Sequence, residues 1–349
     1  MTDVDVAILH LEPGRGAGPL TQATSAARLD LARRHRLGFL AAGATRATLH
    51  AGPADDVPFG ARLRGLAARV RGDGGLIVLG SGAIPLATAA DRRELVAAAR
   101  DPDGAALTNN RYSADVIAIA LARSVVADVP DLATDNMLPR WLGEDAGVSV
   151  SDRRARRRLG VDIDGPLDLV LLGGRWMTYL ADADVEHVRS AITGVRRIAE
   201  DPNAELMVAG RVSAADLAWL ERETASRTRA LIEERGLRTR RPGQRPAASV
   251  LGALLERDGA ESLAAHVARF ADAAIIDSRV LLAHRFGGDE RSWPAPEDRF
   301  ASDLLLAERV ADPWLHALTA AAVAAAVPIL FGGHSLVGPG LPLALRHGR

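Results

Sequence analysis

The sequence predicts an α/β fold in which a mostly parallel, Rossmann-like sheet is followed by a second, smaller α/β domain. Short apolar runs typical of buried strands alternate with longer runs that have helical spacing. The 349 residues are enough for two domains of ordinary size, and a hydrophobic content of 48% is that of a globular protein. The alternation restarts near Gly173–Asp184, so we expect one domain over residues 1–180 and another over 185–349.

In the first half, the clearest elements are a strand over Val4–Leu11 and a buried strand over Gly75–Gly80. The first strand runs into the glycine-rich stretch Glu12–Pro19. Thr88 is placed to cap a helix, with Asp91 at its third helical position. The other elements predicted here are helices over 24–43 and 59–70 and strands over 45–50 and 114–119.

In the second half, polar residues directly follow the predicted strands. Strands are predicted over 205–209, 229–233, 273–276 and 327–331, with helices over 214–224, 250–255, 262–270 and 313–326 and a basic loop over 238–246. Open α/β sheets bind ligands outside the carboxyl ends of their strands, so Asp277, Arg279 and His334 are candidate ligand contacts. Glu297 and Asp303 are either a helix cap with ion pairs or part of a lid over that cleft.

The composition excludes several classes of function. A net charge of −1 gives no overall attraction to nucleic acid. No apolar run reaches the roughly 18–20 residues of a membrane span. The acidic start lacks the features of a secretory signal, and with no cysteine in the chain we expect a cytoplasmic protein without disulfides. All 43 basic residues are arginines, so a phosphate must be held by arginine or backbone N–H.

The segment from Arg158 to Leu172 is the most informative part of the chain. Asp162 and Asp164 are two residues apart, so on a strand end both carboxylates face the same side. Pro166 then begins a helix, with Asp168 in its first turn. Paired acids before a helix N-terminus suit a metal–phosphate site, although solvated strand-end acids explain them as well.

Three segments of residues 1–172 resemble the GT-A-like nucleotidyltransferases. The closest similarity is to the CofC-type 2-phospholactate or phosphoenolpyruvate guanylyltransferases of cofactor F420 synthesis and to MobA-like proteins. Leu79–Ala90 resembles the family's G-D-x-P-L-L-T-x-x-D, Asp101–Asn109 its D-x-x-G-x-G-T-N, and Val161–Leu169 its D-I-D-T-P-E-D-L. The chain departs from the family at Ser81 and Gly82, which stand at the family's strand-end aspartate, and in having no lysine.

The resemblance implies a nucleoside triphosphate and a small phosphorylated acceptor bound over the carboxyl ends of the strands. Mg²⁺ or Mn²⁺ would be held by Asp162 and Asp164, the catalytic acids. Thr108, Asn109, Arg15 and Ser81 would contact substrate, and Asp103 or Asp115 would supply a further carboxylate.

Three functions therefore remain open. The first is transfer of a nucleoside monophosphate to the acceptor. The second is a degenerate homologue that binds a nucleotide, a phosphorylated metabolite or a partner protein. The third places a phosphate- or sugar-processing site in the second domain, with Asp277, Arg279 and His334. The sequence leaves the oligomeric state open, a homodimer included.

Overall fold

The computed structural model of the protein describes residues 2–237 and 243–346. It confirms the α/β class, with one mostly parallel sheet and a second, smaller parallel sheet. The chain divides into two compact units: unit 1 is Met1–Gly16 with Ser25–Ile163, and unit 2 is Ala17–Thr24 with Asp164–Arg349. The basic loop predicted over 238–246 lies largely outside the described residues.

The division between the units falls at Ile163, earlier than the boundary expected near residues 180–185. Residues 166–172 form a helix whose Leu167 and Leu169 are buried, and this helix packs against two later helices of unit 2. Unit 2 therefore contains the longer stretch of chain, although its sheet is the smaller one.

Unit 1 is built around a mixed sheet whose described strands run in the order β2-β1-β3-β5-β4-β6. Strands β1, β2 and β3 are parallel, and β5 runs antiparallel to both β3 and β4. The elements are β1 (Val4–Leu11), α1 (Pro19–Ala41, in unit 1 from Ser25 onward), β2 (Arg46–Gly52), α2 (Phe59–Ala67), β3 (Gly75–Gly80), α3 (Ala89–Ala98), β4 (Ala106–Thr108), β5 (Val116–Ile119), α4 (Ala122–Val125), α5 (Leu138–Glu144) and β6 (Val150–Asp152).

Alternation along the strands gives the sheet of unit 1 a core on each face. Val6 and Ile8 of β1 pack with Phe39 of α1 on one face, while Ala7 packs with Leu63 of α2 on the other. Successive side chains of a strand point to opposite faces, so a strand covered on both sides is apolar throughout. This explains why the uninterrupted run over Gly75–Gly80 forms a central strand.

The arginine-rich stretch after β6 pairs with helix α3. Arg158 donates to both carboxylate oxygens of Asp91, through Nε at 3.0 Å and Nη2 at 2.6 Å. Arg153 and Arg156 pair with Glu94 one turn later on the helix. Although burial opposes ionisation, these bonds and those from Thr88 lower the pKa of Asp91 to about 2. The stretch is therefore an ion-pair network within unit 1.

Unit 2 contains a parallel sheet whose described strands run in the order β10-β9-β7-β8. Its elements are α6 (Pro166–Leu172), α7 (Glu186–Ala199), β7 (Glu205–Gly210), α8 (Ala214–Glu223), β8 (Arg227–Ile232), α9 (Val250–Asp258), α10 (Leu263–Phe270), β9 (Ala273–Asp277), α11 (Ser278–Phe286), α12 (Pro296–Asp303), α13 (Pro313–Ala324), β10 (Ile329–Gly332), α14 (His334–Val337) and α15 (Leu341–Leu345). Within the described ranges, every helix is too short or too polar to cross a membrane.

His35 makes the stability of unit 1 depend on pH. It is fully buried on α1, its Nε2 lies 2.8 Å from the carbonyl oxygen of Ala83, and burial lowers its pKa from 6.5 to about 4. Between these two pKa values, His35 is therefore protonated in the unfolded chain and neutral in the folded protein. The stability that neutral His35 contributes is complete above pH 6.5 and is lost as the pH falls toward 4.

We predict that this loss amounts to roughly 3 kcal/mol and that His35→Gln removes it from the pH profile. Urea unfolding of the wild type and His35→Gln between pH 6.5 and 4, monitored by a signal from unit 1, measures the free energy of unfolding of each protein. Parallel pH profiles for the two proteins would contradict the assignment.

Candidate functional site

Among the described parallel strands of each sheet there is a point at which the strand order reverses. In unit 1 the chain passes from β1 to β2 on one side and then to β3 on the other, so the reversal lies between β1 and β3. In unit 2 the equivalent point lies between β7 and β9. Crossover connections leave toward opposite faces at such a point, which opens a crevice at the carboxyl ends of the two strands.

In unit 1, two of the family-like segments meet at the carboxyl end of β3. The N–H of Ile163 donates to the carbonyl of Gly82 at 2.9 Å, and Asp162 forms an isolated antiparallel bridge with Ala83. The N–H of Ser81 donates to the carbonyl of Leu9 in β1 at 2.8 Å. Residues 81–83 and 162–163 therefore lie together at the reversal point.

A histidine and an arginine occupy the same point. His10, the second-last residue of β1, is buried, with Nδ1 3.0 Å from the hydroxyl of Ser81 and Nε2 3.4 Å from that of Ser25. The Nε of Arg28 donates to the carbonyl of Ile163. Burial, and secondly the charge of Arg28, lower the pKa of His10, so His10 is neutral near pH 7.

Gly82 has no room for a side chain. A Cβ at this position would lie 2.6 Å from the carbonyl oxygen of Ile163 and 3.2 Å from Arg28 Nε. Two residues later, Ile84 is held at a φ of +45°, which a β-branched residue rarely adopts. The family's aspartate therefore cannot stand at position 82 in this backbone, and Ser81 next to it bonds to His10.

Thr108 and Asn109 are buried and bonded within the protein. The Thr108 hydroxyl donates to the carbonyl of Val116 at 2.8 Å. The Asn109 amide nitrogen donates to Asp115 Oδ2 at 2.6 Å and to the carbonyl of Leu159 at 2.9 Å, while its oxygen accepts the N–H of Asp115 and of Val116. These bonds use the hydrogen-bonding capacity of the Asn109 amide to join β4 and β5.

Asp162 and Asp164 do not lie on a strand end. The backbone around them contains only the single bridge at Asp162, so the argument that both carboxylates face one side does not apply. Asp162 is half-buried in unit 1, and Asp164 is exposed in unit 2, where its N–H donates to Asp168 Oδ2 at 2.8 Å. Asp103 is exposed. Within residues 2–237 and 243–346, no group of three or more candidate ligands is arranged to hold a metal ion.

A carboxylate of the protein itself occupies the N-terminus of α1. Glu297 accepts the N–H of Leu20 at 3.1 Å and both the N–H and the hydroxyl of Thr21 at 3.0 Å, all within unit 2. A Cβ on Gly18 would lie 2.3 Å from the Glu297 carboxyl carbon, so glycine permits this approach. Glu297 therefore caps a distant helix, α1, and not the helix α12 in which it lies, which begins at Pro296 without a side-chain cap. Arg15, the predicted phosphate contact, is exposed in the preceding loop.

At the reversal point of unit 2, Arg211 and Asp277 form a buried pair. Arg211 donates through Nε at 2.6 Å and Nη2 at 3.1 Å to the two oxygens of Asp277, which also accepts the N–H of Arg279 at 3.2 Å and caps α11. Burial alone would raise the pKa of Asp277, but the adjacent Arg211 keeps it below its usual value. Gly210 makes the approach possible, because a Cβ there would lie 2.3 Å from Asp277 Cβ.

Arg279, Asp168 and His334 are the other residues of unit 2 that the sequence singled out. Arg279 forms a second buried pair, with Nη1 and Nη2 donating to the two oxygens of Asp303 at 2.6 and 2.7 Å. Asp168 accepts the N–H groups of Asp164 and Gly165, yet burial, and then the charge of Asp164, raise its pKa to about 7. His334 is half-buried at the start of α14 and, among the described residues, forms no hydrogen bond through its ring.

A catalytic role for His334 as an acid or base would be supported by a hydrogen bond to Asp277 or Glu297. Among the described residues, neither carboxylate bonds to it. The site residues that were not proposed are His10, Ser25 and Arg211. His10 lies near the end of a predicted strand just before a glycine-rich loop, and this position could have identified it as a candidate ligand contact. The contact between Ser25 and His10 had no local signal.

Comparison with known proteins adds no identification. The chain matches no protein-family model, and no curated protein is significantly similar to it.

We predict that Asp277→Asn destabilises unit 2 by about 3 kcal/mol or more, because it leaves the buried Arg211 charge without its partner. The double variant Arg211→Met/Asp277→Leu should lose less, since it removes both charges. Asp289→Asn is the control, because Asp289 and its partner Arg291 are exposed. Chemical unfolding measures all three, and equal losses in the single and double variants would contradict the pairing argument.

We further predict that Glu297→Ala lowers stability by about 1 kcal/mol through loss of the α1 cap. Glu308→Ala, which removes an exposed carboxylate from the same region, should leave the unfolding midpoint unchanged. Thermal unfolding compares the two variants, and a Glu297→Ala protein as stable as the wild type would show that the cap contributes nothing.

Proposed function

We propose that unit 1 is a nucleotidyltransferase-like module that binds a nucleotide or another phosphorylated metabolite at the carboxyl ends of β1 and β3. The position of Arg28 carries this proposal. Its guanidinium lies against Gly82 and Ile163 and is close enough to His10 to lower that residue's pKa. A fixed cation at the point where an α/β sheet reverses its strand order favours an anionic ligand.

Arginine suits this role in a chain without lysine. A guanidinium stays charged at all working pH values and presents several N–H donors in a plane that matches phosphate oxygens. Arg28 is half-buried, so part of its surface faces solvent. The neutral His10 next to it adds no opposing charge.

Two contacts within unit 1 favour binding over transfer. Gly82 leaves no space for the acid that the family places at the end of this strand. Asn109, the expected substrate contact, has its amide engaged by Asp115, Val116 and Leu159. The proposal is therefore a homologue that retains the ligand crevice without the full transfer machinery.

Nucleotidyl transfer is the second candidate, and the position of Asp162 favours it. Its half-buried carboxylate belongs to the residue that bridges Ala83, beside the family-like turn. Mg²⁺ often takes only one or two carboxylates when phosphates and water supply the remaining ligands, so Asp162 fits a metal brought by the nucleotide but not a protein-built cage. The bound ion would neutralise phosphate charge.

In that reaction an oxygen of the acceptor's phosphate would attack the α-phosphorus of the triphosphate. A new P–O bond would form as the bond from the α-phosphorus to the bridging oxygen breaks, and pyrophosphate would leave with the electron pair. Arg28 would hold the phosphates and Asp162 the ion; no group in unit 1 needs to take a proton, because the attacking phosphate oxygen is already ionised.

We predict that ADP, GDP or phosphoenolpyruvate binds the wild-type protein and that Arg28→Gln weakens the affinity at least tenfold, about 1.4 kcal/mol. Arg33→Gln is the matched control, because Arg33 is an exposed arginine on the same helix. Isothermal titration measures the affinities, after thermal unfolding has shown that both variants fold. Failure of all three compounds to bind, or equal affinity in Arg28→Gln, would overturn the proposal.

Release of pyrophosphate from a nucleoside triphosphate, with phosphoenolpyruvate as acceptor, separates the two candidates. The binding proposal expects none. Release that requires Mg²⁺ and disappears in Asp162→Asn would replace it with nucleotidyl transfer.

A further inference from the structure

We propose that the carboxyl edge of the unit 2 sheet is a second ligand site, for a small non-anionic molecule that donates hydrogen bonds through hydroxyl or ammonium groups to His334. The site lies wholly within unit 2, and its argument is independent of the function proposed for unit 1.

Three strand ends bring the site together. Gly210 ends β7 and Arg211 follows it, Asp277 ends β9, and Gly332 ends β10 and is followed by Gly333 and His334. Gly332 lies beside Asp277 in the strand register, and helix α14 lies against β7 and β9. The reversal of strand order between β7 and β9 is the position at which open α/β sheets bind their ligands.

The arginines of this edge are poorly placed to bind an anion. Arg211 directs two of its donors to the carboxylate of Asp277, and Arg279 directs two to the carboxylate of Asp303. Arg279 also donates to the Ser278 hydroxyl at 2.8 Å. A paired guanidinium has lost the fork that recognises a phosphate bidentately, and its charge is balanced by its partner. This makes a phosphate-processing site less suitable here than a sugar- or amine-binding one.

The groups facing His334 are mostly carboxylates. Arg211 after β7, Asp277 at the end of β9, Asp216 on α8 and Asp164 before α6 all act on its ring electrostatically. Because Asp277 and Arg211 balance each other as an ion pair, Asp216 and Asp164 are the groups that add negative potential at the ring. Asp216 is close: a Cβ on Gly338 would lie 3.5 Å from His334 Cε1 and 3.6 Å from Asp216 Oδ2. Anionic ligands are therefore disfavoured, and ligand groups that donate hydrogen bonds are favoured.

His334 itself is suited to accept a hydrogen bond. Burial, and secondly the charge of Arg211, lower its pKa, so the ring is neutral near pH 7 and one nitrogen carries a lone pair. Within the described part of the chain the ring forms no hydrogen bond, and His334 is only half-buried, so part of its surface is open to solvent. A ligand hydroxyl or ammonium can supply the missing donor.

The test is a titration with three probes that share one ring: glucose, glucosamine and glucose 6-phosphate. It uses the Arg28→Gln protein, in which phosphate binding by unit 1 should be at least tenfold weaker. We expect glucose or glucosamine to bind and glucose 6-phosphate to bind at least tenfold more weakly. Tighter binding of glucosamine than of glucose would identify an ammonium contact, and equal binding would identify hydroxyl contacts.

Two histidine variants tie the binding to this site. In the same background, His334→Gln should weaken sugar binding at least tenfold, while His187→Gln, which alters an exposed histidine on α7, should not. Thermal unfolding confirms that His334→Gln folds, and Asp216→Asn provides a second variant expected to weaken glucosamine. Absence of sugar binding, binding that ignores His334, or preferential binding of glucose 6-phosphate would each overturn the proposal.

Discussion

The carboxylate of Asp277 is the group on which the carboxyl edge of unit 2 depends. It is almost fully buried, and it accepts hydrogen bonds from two guanidinium nitrogens of Arg211 and from the backbone N–H of Arg279. One side chain thus joins the end of β7 to the end of β9 and begins α11. A buried charge is tolerated only with such a set of partners. Gly210 allows Asp277 to approach, because it has no side chain that would clash with that residue.

The two reversal points show how one topology produces sites of opposite character. In unit 1 the crevice is bordered by Arg28 and by a histidine that bonds to two serine hydroxyls. In unit 2 the arginines are neutralised by aspartates, and the further acids Asp216 and Asp164 act on His334. Strand order decides where a ligand binds, whereas the pairing of charges around that point decides which ligand is accepted.

Local signals in the sequence were enough to predict most of the secondary structure. The strands over Val4–Leu11 and Gly75–Gly80 and the Thr88 cap agree with the structure, because each depends on neighbouring residues alone. The short strands β4 and β6 were missed, since three residues carry too weak a pattern. The Asp162–Asp164 argument failed because it assumed a strand that the backbone does not form.

The site was harder to predict because its contacts join distant parts of the chain. Sequence position placed Asp277, Arg279 and His334 correctly at strand ends, but it could not reveal that Asp277 pairs with Arg211 and Arg279 with Asp303. Glu297 binds the helix that begins at Pro19, and no local sequence pattern in either segment predicts that contact. Because of these pairings, side chains that were predicted to contact phosphate stabilise the fold instead, and the functional conclusion changes accordingly.

The central claim is that the two reversal points bind ligands of opposite charge preference, and histidine NMR tests it most directly. His10 reports on unit 1 and His334 on unit 2, and each resonance can be assigned by its His→Gln variant. The account predicts that ADP shifts the His10 signals and leaves those of His334 unchanged, while glucosamine does the reverse. Shifts of His334 with ADP, or of His10 with glucosamine, would contradict it.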